Sequence, residues 1–112
     1  MRRPLKYGNV PITVDGRRFA SKREAERYQV LSIALAAGRI ADLCCQVPFD
    51  LHAPGGEKIG RYVADFAYTL VAPGTATHGQ RFVEDAKGVR TQLYIWKKRH
   101  VEAEYRISIL EV

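Results

Sequence analysis

The sequence predicts a single α/β domain in which a central mixed sheet is flanked by helices. Its 112 residues suffice for one compact domain and are too few for two. Hydrophobic residues make up 46% of the chain, enough for a real core. The apolar period changes along the chain in the order helix, three strands, helix, strand, which fits layers packed about one sheet.

Residues 1–13 carry Arg2, Arg3 and Lys6 with Pro4 and Pro11, and read as an extended basic arm ahead of a domain spanning 14–112. Val14 to Phe19 contains Asp15-Gly16, a pair that favours a tight turn, so a short hairpin is expected. Ser21-Lys22-Arg23-Glu24 fits a capping box opening a helix that runs to Ala37, with Gly38 as its stop. Ile40 to Ala53 is strand-like, and Pro48 assigns it to an edge or an irregular position. Pro54-Gly55-Gly56 is a turn, Arg61 to Val71 a second strand, and residues 72–79 a loop. Gln80 to Lys87 gives a third strand, punctuated by Gly88. Thr91 to about Glu104 is the second helix, with Trp96 expected in the core, and Tyr105 to Leu110 the last strand.

Eighteen Lys and Arg against twelve acids leave a net charge of +6, which suits a polyanionic partner bound through its phosphates. No apolar run has the length of a membrane span; the longest candidate is Val30 to Ala37. Met1-Arg2-Arg3-Pro4 is not followed by an apolar leader segment, so a cytoplasmic protein is expected. The adjacent Cys44 and Cys45 have neither disulfide nor metal-ligand spacing and read as small buried residues in a reducing compartment.

The chemistry lies on two strands. In Tyr62-Val63-Ala64-Asp65-Phe66-Ala67-Tyr68, alternation places Val63, Asp65 and Ala67 on one face and Tyr62, Ala64, Phe66 and Tyr68 on the other. In Phe82-Val83-Glu84-Asp85-Ala86-Lys87, Val83, Asp85 and Lys87 share a face opposite Glu84. If the strands are hairpin neighbours, Asp65 and Asp85 converge. Two close carboxylates repel unless they share a proton or a cation, and hard oxygen ligands favour Mg²⁺ or Mn²⁺ over zinc. Lys87 can then orient a water or stabilise charge building on a phosphate, which is the apparatus of phosphodiester hydrolysis.

Asp65, then Asp85-Ala86-Lys87 on a later strand, then a basic helix, resembles the motif of the PD-(D/E)XK nucleases, with Ala64 where a proline is usual. The wider run of Ser21-Lys22-Arg23-Glu24-Ala25-Glu26-Arg27-Tyr28, Gln46, Tyr62 to Phe66 and Val83 to Gly88 is similar to a family of short phage- and prophage-encoded proteins placed in that superfamily. The resemblance runs from about Phe19 to Trp96. It implies a restriction-endonuclease-like core, divalent-metal dependence, DNA as substrate and a bacterial host cell. It also places Gln46 near the site. The related phage junction-resolving enzymes add a glutamate from the first helix. Glu24 is the candidate here, since Glu24, Tyr28, Leu31 and Leu35 form one helical stripe. Glu24 is either a metal ligand or purely a cap, and Glu26 lies on nearly the opposite face.

The expected site is therefore Asp65 and Asp85 on Mg²⁺ or Mn²⁺, helped by Glu24 and the Ala86 carbonyl, with Lys87 positioning the nucleophile. Against this stand ordinary surface salt bridges for each aspartate and a solvated strand end for Lys87. Glu84 is expected to pair with a basic residue on the far face. His52, His78 and His100 are isolated in sequence and read as surface or half-buried residues. Lys97, Lys98 and Arg99 on the second helix, with Arg2, Arg3 and Lys6 on the arm, are the expected DNA contacts. So small a core points to structure-selective or weakly specific cleavage, branched DNA included, and a homodimer is the simplest assembly. The rivals are a noncatalytic DNA-binding module and a nuclease subunit that needs a partner.

Overall fold

The computed structural model describes residues 11–112, so Arg2, Arg3 and Lys6 lie outside the described residues. Among the described residues the order is β1 (Ile12–Val14), β2 (Arg17–Phe19), α1 (Lys22–Ala36), β3 (Ile40–His52), β4 (Lys58–Leu70), β5 (Arg81–Asp85), α2 (Gln92–Tyr105) and β6 (Ile109–Glu111). Strands β1 and β2 pair by themselves. The remaining four form one mixed sheet in the order β3-β4-β5-β6, antiparallel except for the parallel β5–β6 pair. The α/β expectation holds. Parallel strands require a crossover, and α2 supplies it.

The β1–β2 hairpin forms because Asp15 and Gly16 both take positive φ, 50° and 76°, the backbone a two-residue hairpin turn demands. Pairing begins at Ile12, two residues inside the expected arm. Helix α1 starts where Ser21, in extended conformation, accepts the Glu24 amide on Oγ at 3.2 Å. It stops at Gly38, whose φ of 74° lets the Gly38 and Arg39 amides reach the Leu35 and Ala34 carbonyls. The expected core stripe holds from Glu24 to Leu31, but Leu35 is exposed. Ala34 packs inward in its place.

Strand β3 is an edge of the sheet, which is why Pro48 is tolerated opposite Val63. Strand β4 starts at Lys58, three residues before expectation, because the turn closed by Ala53 and Glu57 is tight. Helix α2 is capped by the Thr91 hydroxyl accepting from Tyr94 N at 3.1 Å. It continues through Tyr105 and ends where Arg106 adopts φ 54°. The last strand therefore begins at Ile109 rather than Tyr105.

Two apolar clusters cover opposite faces. Phe19, Ala25, Leu31, Ile40, Phe66 and Tyr68 pack beneath α1. Leu51, Tyr62, Ala64, Ala67, Val83, Val101 and Ile109 pack beneath α2. This corrects one expectation from alternation: Tyr62 and Ala64 do not share a face with Phe66 and Tyr68. Strand β4 changes face between Ala64 and Phe66, opposite Gln46, whose φ is 54°, while the register from Cys45↔Phe66 to Val47↔Ala64 is unshifted. A second correction concerns Trp96, which is 54% exposed rather than a core anchor. Its place inside α2 is taken by Tyr94 and Val101. Among the described residues, no helix is long and apolar enough to cross a membrane.

Candidate active site

Strands β4 and β5 pair from Thr69↔Arg81 to Phe66↔Glu84 and then part. At that split the two aspartates replace the ladder with their own side chains. Asp85 Oδ1 accepts from Asp65 N at 2.9 Å, and Asp65 Oδ2 accepts from Ala86 N at 2.9 Å. Each carboxylate thus satisfies a backbone donor that the parting strands would leave orphaned. The sequence-predicted convergence of Asp65 and Asp85 is present in this laced form.

Helix α1 brings Glu24 to the same place. Ser21 caps the helix, and the buried Glu24 carboxylate interacts with the Ala20 backbone at the helix start as well as with the sheet, where Gln46 Nε2 donates to Glu24 Oε1 at 2.9 Å. The same amide nitrogen lies 3.5 Å from Asp65 Oδ1. Gln46 therefore bridges the helix carboxylate and the strand carboxylate, and its left-handed backbone is what sets the amide there. Lys87 lies just past the end of β5, so its position does not follow from strand alternation. Its ammonium stands 4.8 Å from the centre of the Tyr94 ring, and its charge favours ionisation of Glu24, Asp65 and Asp85.

These residues open onto a cleft of about 430 Å³ lined by Arg18, Glu24, Gln46, Asp65, Ala86, Lys87 and Tyr94, among others. Asp85 sits behind that lining, fully buried. Its Oδ2 has no hydrogen-bond partner among the described residues. A buried carboxylate oxygen without a donor is costly unless a proton or cation completes it. Burial pushes the Asp85 carboxyl up to about 6. Burial, then the charge of Asp65, pushes Glu24 up to about 7. Burial raises Asp65 as well.

The donor set suits a hard divalent cation: oxygens throughout, one of them unpartnered. Among the described residues, however, no three His, Cys, Asp or Glu side chains stand together as a finished metal cage.

Other predicted residues fall elsewhere. Glu84 lies on the opposite face, as alternation requires, where Arg27 donates to both its oxygens at 2.7 and 2.6 Å and Tyr68 donates its hydroxyl proton. Lys98 is turned inward, its side chain 18% exposed and paired with Glu102, so it is not on the outer face with Arg99. Lys97 reaches back to the sheet and donates to the Arg61 carbonyl at 3.0 Å. His52 and His100 both meet Glu104, a clasp between the β3–β4 hairpin and α2. His78 stays in its loop, where Nδ1 accepts from Ala72 N. Neither cysteine is buried. Sequence reasoning passed over Arg18, and it set Tyr94 among the cations of the second helix rather than in the cleft. Arg18 follows the Asp15-Gly16 turn, and only the packing of the hairpin against α1 brings it to the site.

The chain matches, over residues 4–111, the family described as "Protein of unknown function (DUF1064)", and it belongs to that family. No curated protein and no solved structure matches it.

Proposed function

We propose that this DUF1064 member is a divalent-metal-dependent DNA endonuclease of the PD-(D/E)XK type, with a restriction-endonuclease-like core. The observation that carries the reading is the partnerless, buried Oδ2 of Asp85, set behind Asp65 beside a cleft that also holds Glu24 and Lys87. Asp65 and Asp85 would hold Mg²⁺ or Mn²⁺, with Glu24 and the Ala86 carbonyl as further oxygen donors. Such a cation, when bound, would supply Lewis acidity toward a phosphodiester and toward the attacking water.

The chain's own residues do the rest. Lys87 presents an ammonium to the negative charge that builds on the phosphate oxygens, held in place by the Tyr94 ring. Gln46 keeps Glu24 and Asp65 facing the same space. Water oxygen bonds to phosphorus and gives up a proton to bulk water as one P–O ester bond breaks, and the leaving oxygen takes up a proton from bulk water. The net charge of +6 draws the polyanionic substrate to the site.

The test is cleavage of supercoiled plasmid and of a four-way junction with Mg²⁺ or Mn²⁺ and with chelator. Nicking that needs the cation and is lost in Asp85→Ala and Lys87→Ala is expected. DNA binding with no cleavage under either cation would replace this reading with that of a noncatalytic binding module.

A further inference from the structure

A second groove adjoins the cleft and shares two of its walls. It is lined by Arg61, Tyr62, Val63, Thr91, Leu93, Tyr94 and Lys97, and Thr91 and Tyr94 also line the catalytic cleft. The surface is thus continuous from Lys87, across Tyr94, to the Arg61–Lys97 pair. Beside it stand apolar side chains with no cover among the described residues: Leu93 is 62% exposed, Trp96 54%, and Val63 is exposed as well. On α2 Leu93 has Trp96 and Lys97 as its neighbours one turn on, so the indole and the ammonium flank it. The Trp96 ring rests at a tilt on His100, with ring centroids 5.5 Å apart, and is otherwise presented outward.

We infer that this groove and the Trp96 face hold an unpaired DNA strand that leads into the catalytic cleft, phosphates on Arg61 and Lys97 and a base on the Trp96 indole. The inference rests on the functional reading above for DNA as the substrate, and adds that the strand is single. Charge selects the occupant. Arg61 and Lys97 complement a phosphate chain, and the first turn of α2, which carries no acidic residue, adds the positive end of a helix dipole at Thr91. A second copy seated symmetrically on the same face would set these cations against their own equivalents. Duplex DNA keeps its bases stacked inside and gives an exposed indole nothing to stack on, whereas an unpaired strand presents a π-face at every base. Cations interleaved with exposed apolar and aromatic side chains are the arrangement that binds single strands without reading their sequence.

Trp96 is the protein's single tryptophan, so its emission reports on this face alone. The experiment titrates the full chain, in chelator so that no cleavage occurs, with oligothymidylate and with a duplex of equal length. Quenching of the emission by the single strand is expected, with affinity at least about tenfold above the duplex. Trp96→Ala, a change at an exposed position, is expected to lower single-strand affinity about tenfold, as loss of one stacked base does. Arg61→Gln with Lys97→Gln should flatten the dependence of log affinity on log salt by about 1.4, since each single-strand phosphate contact contributes about 0.7. Equal binding of duplex and single strand with unchanged emission overturns the inference and leaves the nuclease reading standing. So does concentration-dependent dimerisation in sedimentation that Trp96→Ala abolishes. Absence of any DNA binding at low salt overturns the nuclease reading, and the inference with it.

Discussion

Three carboxyls gathered at one split in a sheet make the folded chain hold protons that the unfolded chain releases. Glu24 stands raised to about 7 and Asp85 to about 6, chiefly by burial. Both lie above their unfolded values, so between about pH 4 and pH 7 the native state binds more protons than the unfolded one, and stability falls as pH rises. In cation-free buffer the melting temperature is therefore expected to drop from pH 5 to pH 8. Asp85→Asn keeps the oxygen that accepts from Asp65 N and removes the charge. It should raise the pH 8 melting temperature by about 4 °C or more, the shift roughly 1 kcal/mol brings in a domain this size. A flat profile in scanning calorimetry would contradict the raised carboxyls. Asp85 was legible from alternation within β5, which keeps it off the face of Glu84. The pleat of β4, by contrast, breaks beside Asp65, so the convergence was foreseen from matching strand contexts and not from a correct face assignment. The lacing of the two was not legible, because it depends on where the β4–β5 ladder ends, and side chains rather than sequence pattern settle that.

At the scale of elements, α1 is tied to the sheet by a polar bond as well as by its apolar face. Arg27 grips the fully buried Glu84 with both arms, and Tyr68 shares the same carboxylate. Removing one partner leaves a buried charge behind, so Arg27→Met is expected to cost about 3 kcal/mol in urea unfolding. Adding Glu84→Gln should return much of that. A loss under roughly 0.5 kcal/mol for the single change would show that the pair is solvated in solution. The elements themselves were readable from periods and punctuation: Ser21, Gly38, Thr91 and Pro48 each stand where their chemistry is needed. The misplacements have more than one cause, the tight Ala53–Glu57 turn having moved the start of β4. Arg106 and Gln46 take positive φ without being glycine, and nothing in a residue's type announces that. The first moved the start of β6, and the second lies opposite the place where β4 changes face. Trp96 was misplaced for a different reason: bulk suggests burial, but α2 fills its inner face with Tyr94 and Val101.

For the molecule as a whole, the two apolar clusters share the sheet as a common wall, with β4 contributing Phe66 and Tyr68 to one and Tyr62, Ala64 and Ala67 to the other. Neither cluster can dissolve without stripping β4 from its other face. Chemical unfolding should accordingly be one transition, with near- and far-ultraviolet dichroism superimposable; separated midpoints would show two independent halves. The laced split at the end of the β4–β5 ladder has a consequence for timing. The Asp65 and Ala86 amides are held by the second oxygens of the two carboxylates proposed to take the cation, so these two N–H groups are clocks for its arrival. Deuterium uptake at Asp65 and Ala86 should quicken when Mg²⁺ is added, without DNA and before any bond is cut, while Phe66 and Tyr68 in the ladder keep their slow exchange. Unchanged uptake at both amides would mean that the seam stays shut with the cation present.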